Sequence, residues 1–101
     1  MQKFSILLIL LLSFGVSSLG HAVDVFEGKQ LYSRHCMGCH GVSGEGNMPG
    51  LPNFAQGEQL FKSDSELQDS VRNGNGVMPS FIGLLTDDEI SSVVAYLRTL
   101  L

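Results

Sequence analysis

Cys36-Met37-Gly38-Cys39-His40 sets two thiols two residues apart, with an imidazole directly after the second. Thiols at this spacing can add across the two vinyl groups on one edge of a porphyrin. The next residue can then point its ring to the iron. C-x-x-C-H is the attachment pattern of a c-type haem, so Cys36 and Cys39 are expected as thioether anchors and His40 as the proximal iron ligand.

Three other chemistries use the same residue types. A disulfide between Cys36 and Cys39 would close too short a loop to stabilise a domain much. A thioredoxin-like pair wants a strand-to-helix context, whereas this motif follows a helical pattern and precedes a Gly/Pro-rich loop. A structural zinc site needs four ligands, more than these residues readily offer. Haem attachment is the reading that uses all three side chains.

Iron bound this way needs a second axial ligand or keeps an open position. His35 adjoins Cys36 and cannot cross to the opposite haem face. His21 falls within the expected leader of residues 1–22, and Met37 lies inside the attachment loop. Met48 and Met78 remain, each followed by proline. A strap must pass round the haem edge before its side chain can return on the distal side. Met48 comes only eight residues after His40, while Met78 follows a helix and the flexible Asn73-Gly74-Asn75-Gly76 turn. Met78 is therefore the expected distal ligand.

The elements that must position these residues are helices. Asp24 to His35 reads as a helix running into Cys36, with Phe26, Leu31 and Tyr32 largely on one side. Residues 41–57 are rich in Gly, Pro, Ser and Asn and read as loop, with a helical turn within residues 58–62. Ser63 with Glu66 forms a capping box for a second helix ending at Gly74, with Leu67, Val71 and Ser70 inward. Thr86 with Glu89 forms another for the last helix. There Ile90, Val93, Val94, Leu97, Leu100 and Leu101 recur at helical spacing, and Arg98 places a cation in the last turn. No segment alternates as a strand should. The expected class is all-α, with three main helices and long loops around one haem.

The first 22 residues read differently. Lys3 precedes an apolar run from Phe4 to Phe14, and small and polar residues lead to Gly20-His21-Ala22. That is the layout of a secretory signal peptide cut after Ala22; a retained anchor would want a longer apolar run. The expected division is leader 1–22 and one domain over 23–101, secreted across the cytoplasmic membrane to the periplasm. The chain carries ten Asp and Glu against six Lys and Arg, a net −4. Losing Lys3 with the leader makes it −5. Without a basic cluster, nucleic acid and anionic membrane surfaces are poor partners, and a protein with a basic docking face is a good one. A domain this small is marginal without a staple. Phe54, Leu60, Phe61, Leu67, Val71, Phe81, Ile82, Leu84 and Leu85 could supply the apolar walls of a haem pocket.

Residues 28–101 resemble the class I cytochromes c, particularly the small bacterial mono-haem types. Gly28-Lys29-x-x-Tyr32-x-x-x-Cys36 is similar to that family's first helix, and Val94-Ala95-Tyr96-Leu97 to the part of the last helix that crosses it. Gly76-Val77-Met78-Pro79-Ser80-Phe81 resembles the family's distal methionine loop. The resemblance implies a cytochrome c fold and a backbone carbonyl that accepts the other ring N–H of the proximal histidine. Pro49, nine residues after His40, is the expected acceptor, with Pro52 as the alternative. It also implies a single-electron carrier between redox proteins rather than an enzyme. A subunit of a respiratory enzyme, or a haem sensor with a displaceable methionine, are the alternatives.

Overall fold

The structure, a computed structural model, describes Gly15 and residues 22–101. The leader expected over residues 1–22 lies, apart from Gly15 and Ala22, outside the described residues. The described chain is all-α: α1 (Val25–His35), α2 (Met37–His40), a 3-10 turn (Phe54–Gln56), α3 (Asp64–Asn73) and α4 (Asp87–Arg98). Among the described residues, pairing of extended backbone is confined to one isolated bridge between Asn75 and Met78. No helix among them is long and apolar enough to cross a membrane.

Each long helix starts where a side chain can take the free N–H groups of its first turn. The Asp24 carboxylate accepts from Phe26 N at 2.9 Å and Glu27 N at 3.3 Å, so α1 begins one residue later than the pattern suggested. Both expected capping boxes form, Ser63 with Glu66 on α3 and Thr86 with Glu89 on α4. The hydrogen bonds from the Ser63 and Thr86 backbone and side chains hold the Glu66 and Glu89 carboxyls below their ordinary 4.5. A carboxylate favoured in the folded state adds stability above its unfolded pKa and loses it as pH falls through the folded value. Thermal stability is thus expected to fall as pH drops below about 4.5, and this acid limb should flatten in a Glu66→Gln, Glu89→Gln chain. Melting temperatures from pH 3 to 7 check this; an unchanged acid limb would place its origin elsewhere.

The core is built on the crossing of α1 and α4. Gly28 is buried, and a Cβ added there would stand 2.0 Å from the Ser92 carbonyl oxygen and 2.6 Å from its carbon. Beside this close approach, Tyr32 and Tyr96 pack edge to face with ring centroids 5.3 Å apart. Ser92 is buried at the same crossing, where its hydroxyl accepts the Asp24 N–H at 3.1 Å. On one side lies a cluster of Leu31, Val71, Phe81, Leu85, Ile90 and Val93; on the other, Tyr32 packs with Phe54 and Leu97.

Four apolar residues lie elsewhere than expected. Phe26 is 68% exposed, because the inward face of α1 is set by Gly28, Leu31 and Tyr32 and leaves Phe26 outside it. Helix α4 ends at Arg98, so Leu101 falls beyond it and is exposed, while Leu100 packs against the Tyr32 cluster. Ile82 and Leu84 are exposed as well. The Leu85 N–H bonds the Phe81 carbonyl at 3.0 Å, closing a turn that sends Phe81 and Leu85 into the core and the residues between them outward. Residues 58–62 form turns, not a helix, and Arg98 fastens them. Its guanidinium donates to the carbonyls of Leu60 (2.7 Å) and Lys62 (2.8 Å) and to Asp64 (2.8 Å).

Candidate cofactor site

The motif residues form one turn. Cys36 N–H bonds the Tyr32 carbonyl at 2.8 Å as α1 ends, and His40 N–H then bonds the Cys36 carbonyl at 2.9 Å in α2. Residues three and four apart on a helix share a side. Cys36 and His40 accordingly both line one cavity of about 920 Å³, a volume in the range of roughly 300–1,000 Å³ usual for cofactor sites. Cys39 is exposed and lies outside that lining. Cys36 and Cys39 are not joined to each other by a disulfide. Burial, and then the neighbouring Cys39, push the Cys36 thiol up to about 11.

The loop after α2 fixes the histidine. Gly46 N–H bonds the His40 carbonyl at 2.7 Å, and Asn47 N–H bonds that of Cys39 at 2.9 Å. The buried Tyr32 hydroxyl donates to the Gly41 carbonyl at 2.6 Å, and burial raises its pKa to about 12. The His40 ring stacks on Phe54 with centroids 5.2 Å apart. Desolvation lowers the His40 pKa, favouring the neutral imidazole that a metal requires. Its Nδ1 is buried and makes no hydrogen bond. The hydrogen bond expected from this ring nitrogen to the Pro49 carbonyl is therefore not formed in this structure. Pro49 and Pro52 both line the cavity, Pro49 exposed and Pro52 half-buried.

Met78 is half-buried and lines the same cavity as His40, packed against the Leu31 cluster. Met48 is 48% exposed and does not line it. Met37 packs in the Tyr32 cluster, and His35 lies edge-on to Phe81, 6.0 Å between centroids, outside the lining. Phe54, Phe61, Leu67 and Val71 line the cavity as expected; Phe81 and Leu85 serve the core behind it, and Leu60 packs against the Tyr32 cluster. Tyr32, Val93 and Leu97 also line it, as do the polar Glu58, Lys62 and Asn75. Their role as walls was not read from the sequence, although Tyr32 stands one helical turn before Cys36.

The residues present fit a porphyrin iron. An apolar-walled cavity holds a nitrogen donor and a thioether donor, with a thiol on its wall and a buried ring nitrogen in need of an acceptor. Among the described residues, no group of three or more His, Cys, Asp or Glu could hold a metal ion by itself, so a four-ligand zinc site does not form there.

Comparison with known proteins agrees with this geometry. Residues 24–97 match the family described as cytochrome c oxidase, cbb3-type, subunit III. The chain is 34% identical over 80 residues to cytochrome c6 of Gracilaria tenuistipitata var. liui, covering 77% of this chain and 74% of that protein. It is 35% identical over 82 residues to cytochrome c6 of Tetradesmus obliquus, covering 74% of this chain and 89% of the relative. With the cbb3-type cytochrome c oxidase subunit CcoP of Azospirillum sp. (strain B510) it shares 34% over 92 residues, which is 80% of this chain but 31% of that subunit. All-α fold, C-x-x-C-H turn and these relatives together place the chain in the c-type cytochrome family that includes cytochrome c6 and the cytochrome c subunits of cbb3-type oxidases.

Proposed function

We propose that this protein is a single-electron carrier of the periplasm with one covalent c-type haem, anchored by Cys36 and Cys39 and ligated by His40 and Met78. The observation that carries this reading is the shared cavity: His40, Met78 and Cys36 line it together, and Met48 does not. The haem, when bound, supplies a one-electron iron couple, whose potential a methionine ligand raises. The protein's residues do the rest. Tyr32 and Gly46 hold the backbone at either side of the His40 loop, Phe54 stacks on the ring, and burial favours its neutral form. Leu67, Val71, Val93 and Leu97 give the cavity an apolar wall against which the macrocycle would pack.

A carbonyl must orient the proximal imidazole, with Pro49 the expected acceptor and Pro52 the alternative; both line the cavity. A Cβ on Gly46 would lie 3.1 Å from the Pro52 carbonyl oxygen, and Gly46 is itself bonded to the His40 carbonyl. Residues 1–22 serve as the leader, and residues 23–101 as the mono-haem domain. The excess of ten Asp and Glu over six Lys and Arg suits a redox partner with a basic face.

One observation favours a second reading. The family match is to an oxidase subunit, and the chain spans about a third of CcoP, so it could serve as a cytochrome subunit of a respiratory enzyme. Copurification with an oxidase at high salt would select this reading over a diffusing shuttle.

The absorption spectrum of the mature protein, oxidised and reduced, tests the central claim. The expected result is covalent haem with an iron–sulfur charge-transfer band that disappears in Met78→Ala and persists in Met48→Ala. A colourless protein, or a band lost only in Met48→Ala, would overturn it. Rapid stoichiometric carbon monoxide binding at neutral pH would instead point to a ligand-binding haem.

A further inference from the structure

Met78 reaches the cavity on a strap, residues 75–81, that lies directly on the end of α3. Gly74 closes that helix with φ 79°, and a Cβ there would stand 2.7 Å from the Met78 carbonyl oxygen and 2.8 Å from Ser80 N. Asn75 and Met78 exchange two backbone hydrogen bonds of 3.0 Å, which fold the strap into a tight turn. What fastens this turn to the helix is a small polar set. The Ser80 hydroxyl donates to the Arg72 carbonyl at 2.7 Å and accepts the Ile82 N–H at 3.2 Å. The Phe81 N–H is shared between the carbonyls of Val71 (3.3 Å) and Arg72 (3.2 Å).

The last carbonyls of a helix lack partners within it, and Ser80 takes one of them. Arg72 in turn donates to Asp69 (2.7 Å) and Asp87 (2.9 Å), joining this helix end to the start of α4. Phe81 is buried in the core, while Ser80 is exposed and Met78 only half-buried. The side-chain hold nearest Met78 is therefore a hydroxyl that water can reach.

We propose that Ser80 is a positioning residue that latches the Met78 strap to the carbonyl end of α3, and so sets how readily an outside ligand displaces Met78. The inference rests on the reading of Met78 as axial ligand. If the latch closes only when Met78 is bound, its loss favours the displaced form by the worth of one neutral hydrogen bond, about two- to tenfold.

The test titrates the oxidised holoprotein with imidazole and follows the absorption spectrum. Ser80→Ala is expected to bind imidazole about fivefold more tightly than the unsubstituted protein, and Ser80→Thr, which keeps the hydroxyl, to return toward it. In a Met78→Ala background, adding Ser80→Ala should change nothing, since no methionine remains to compete. Ser80→Ala titrating like the unsubstituted protein, with Met78→Ala tighter, overturns the latch and leaves the ligand assignment standing. Equal effects of Ser80→Ala in both backgrounds also overturn it, by tracing them to the fold at large. Met78→Ala titrating like the unsubstituted protein removes the ligand assignment, and the latch with it.

Discussion

A chain carrying Cys36→Ala and Cys39→Ala, made without haem, is expected to be largely disordered at neutral pH. The cavity is walled by Val71 and Val93 from one core cluster and by Tyr32, Phe54 and Leu97 from the other. It therefore lies between the two halves of the core. Holes left by truncating one large side chain already cost about 2–5 kcal/mol, and about 920 Å³ far exceeds such a hole. A domain of about 80 residues has only roughly 4–12 kcal/mol in total, at 0.05–0.15 kcal/mol per residue. The apolar walls would have to meet water or collapse, and either outcome takes the tertiary packing with it. Far-UV circular dichroism and urea titration measure this. Near-native helix content with a sharp cooperative transition would show that the polypeptide alone supplies the core.

Gly28→Ala should lower Tm by roughly 8–16 °C, the worth of about 2 kcal/mol in a domain of this size, while leaving the covalent attachment motif untouched. Two effects oppose each other. Alanine is the better helix former by about 1 kcal/mol in a helix interior. Against that, the new methyl would meet the Ser92 carbonyl oxygen at 2.0 Å, a contact that must open by about 1 Å or more. The obstacle is backbone, and no side-chain rotation relieves it. Overpacking of this kind costs about 1–3 kcal/mol and more where backbone must move, so the steric effect wins. It also separates the Tyr32 and Tyr96 rings and pulls Asp24 from Ser92. A thermal melt of the holoprotein decides the matter, and a Gly28→Ala protein as stable as its parent would mean that α1 and α4 do not approach so closely in solution.

What could be read from the sequence was what its neighbours along the chain decide. Both capping boxes pair residues three apart, and Cys36 and His40 meet on one helical turn; such features carry their own evidence. Gly28 and Tyr32 were legible by their resemblance to a known helix crossing. The misplacements share a cause. Phe26, Ile82 and Leu84 are apolar, yet their orientation depends on which face of an element finds a partner, and at α1 the decisive inward position belongs to a glycine. Ser92 illustrates the converse. A serine is an ordinary surface residue by type, and its burial follows from the Gly28 backbone packed against it and its hydrogen bond to Asp24, 68 residues away. Arg98 was legible as a helix-end cation but not as the fastener of Leu60 and Lys62, since carbonyl groups leave no trace in a sequence.

The crossing of α1 and α4 brings together the first and last helices of the described chain, and the cavity walls that these two helices do not supply are strung between them. Once that clasp is shut, the intervening segments behave as loops tethered at both ends. Doubling the length of such a loop costs only about 0.6 kcal/mol in closure entropy. The exposed stretch of residues 48–50 can therefore gain or lose residues, reshaping the ground around the haem edge, while Gly46, Asn47 and Phe54 on either side keep their hold on the His40 turn.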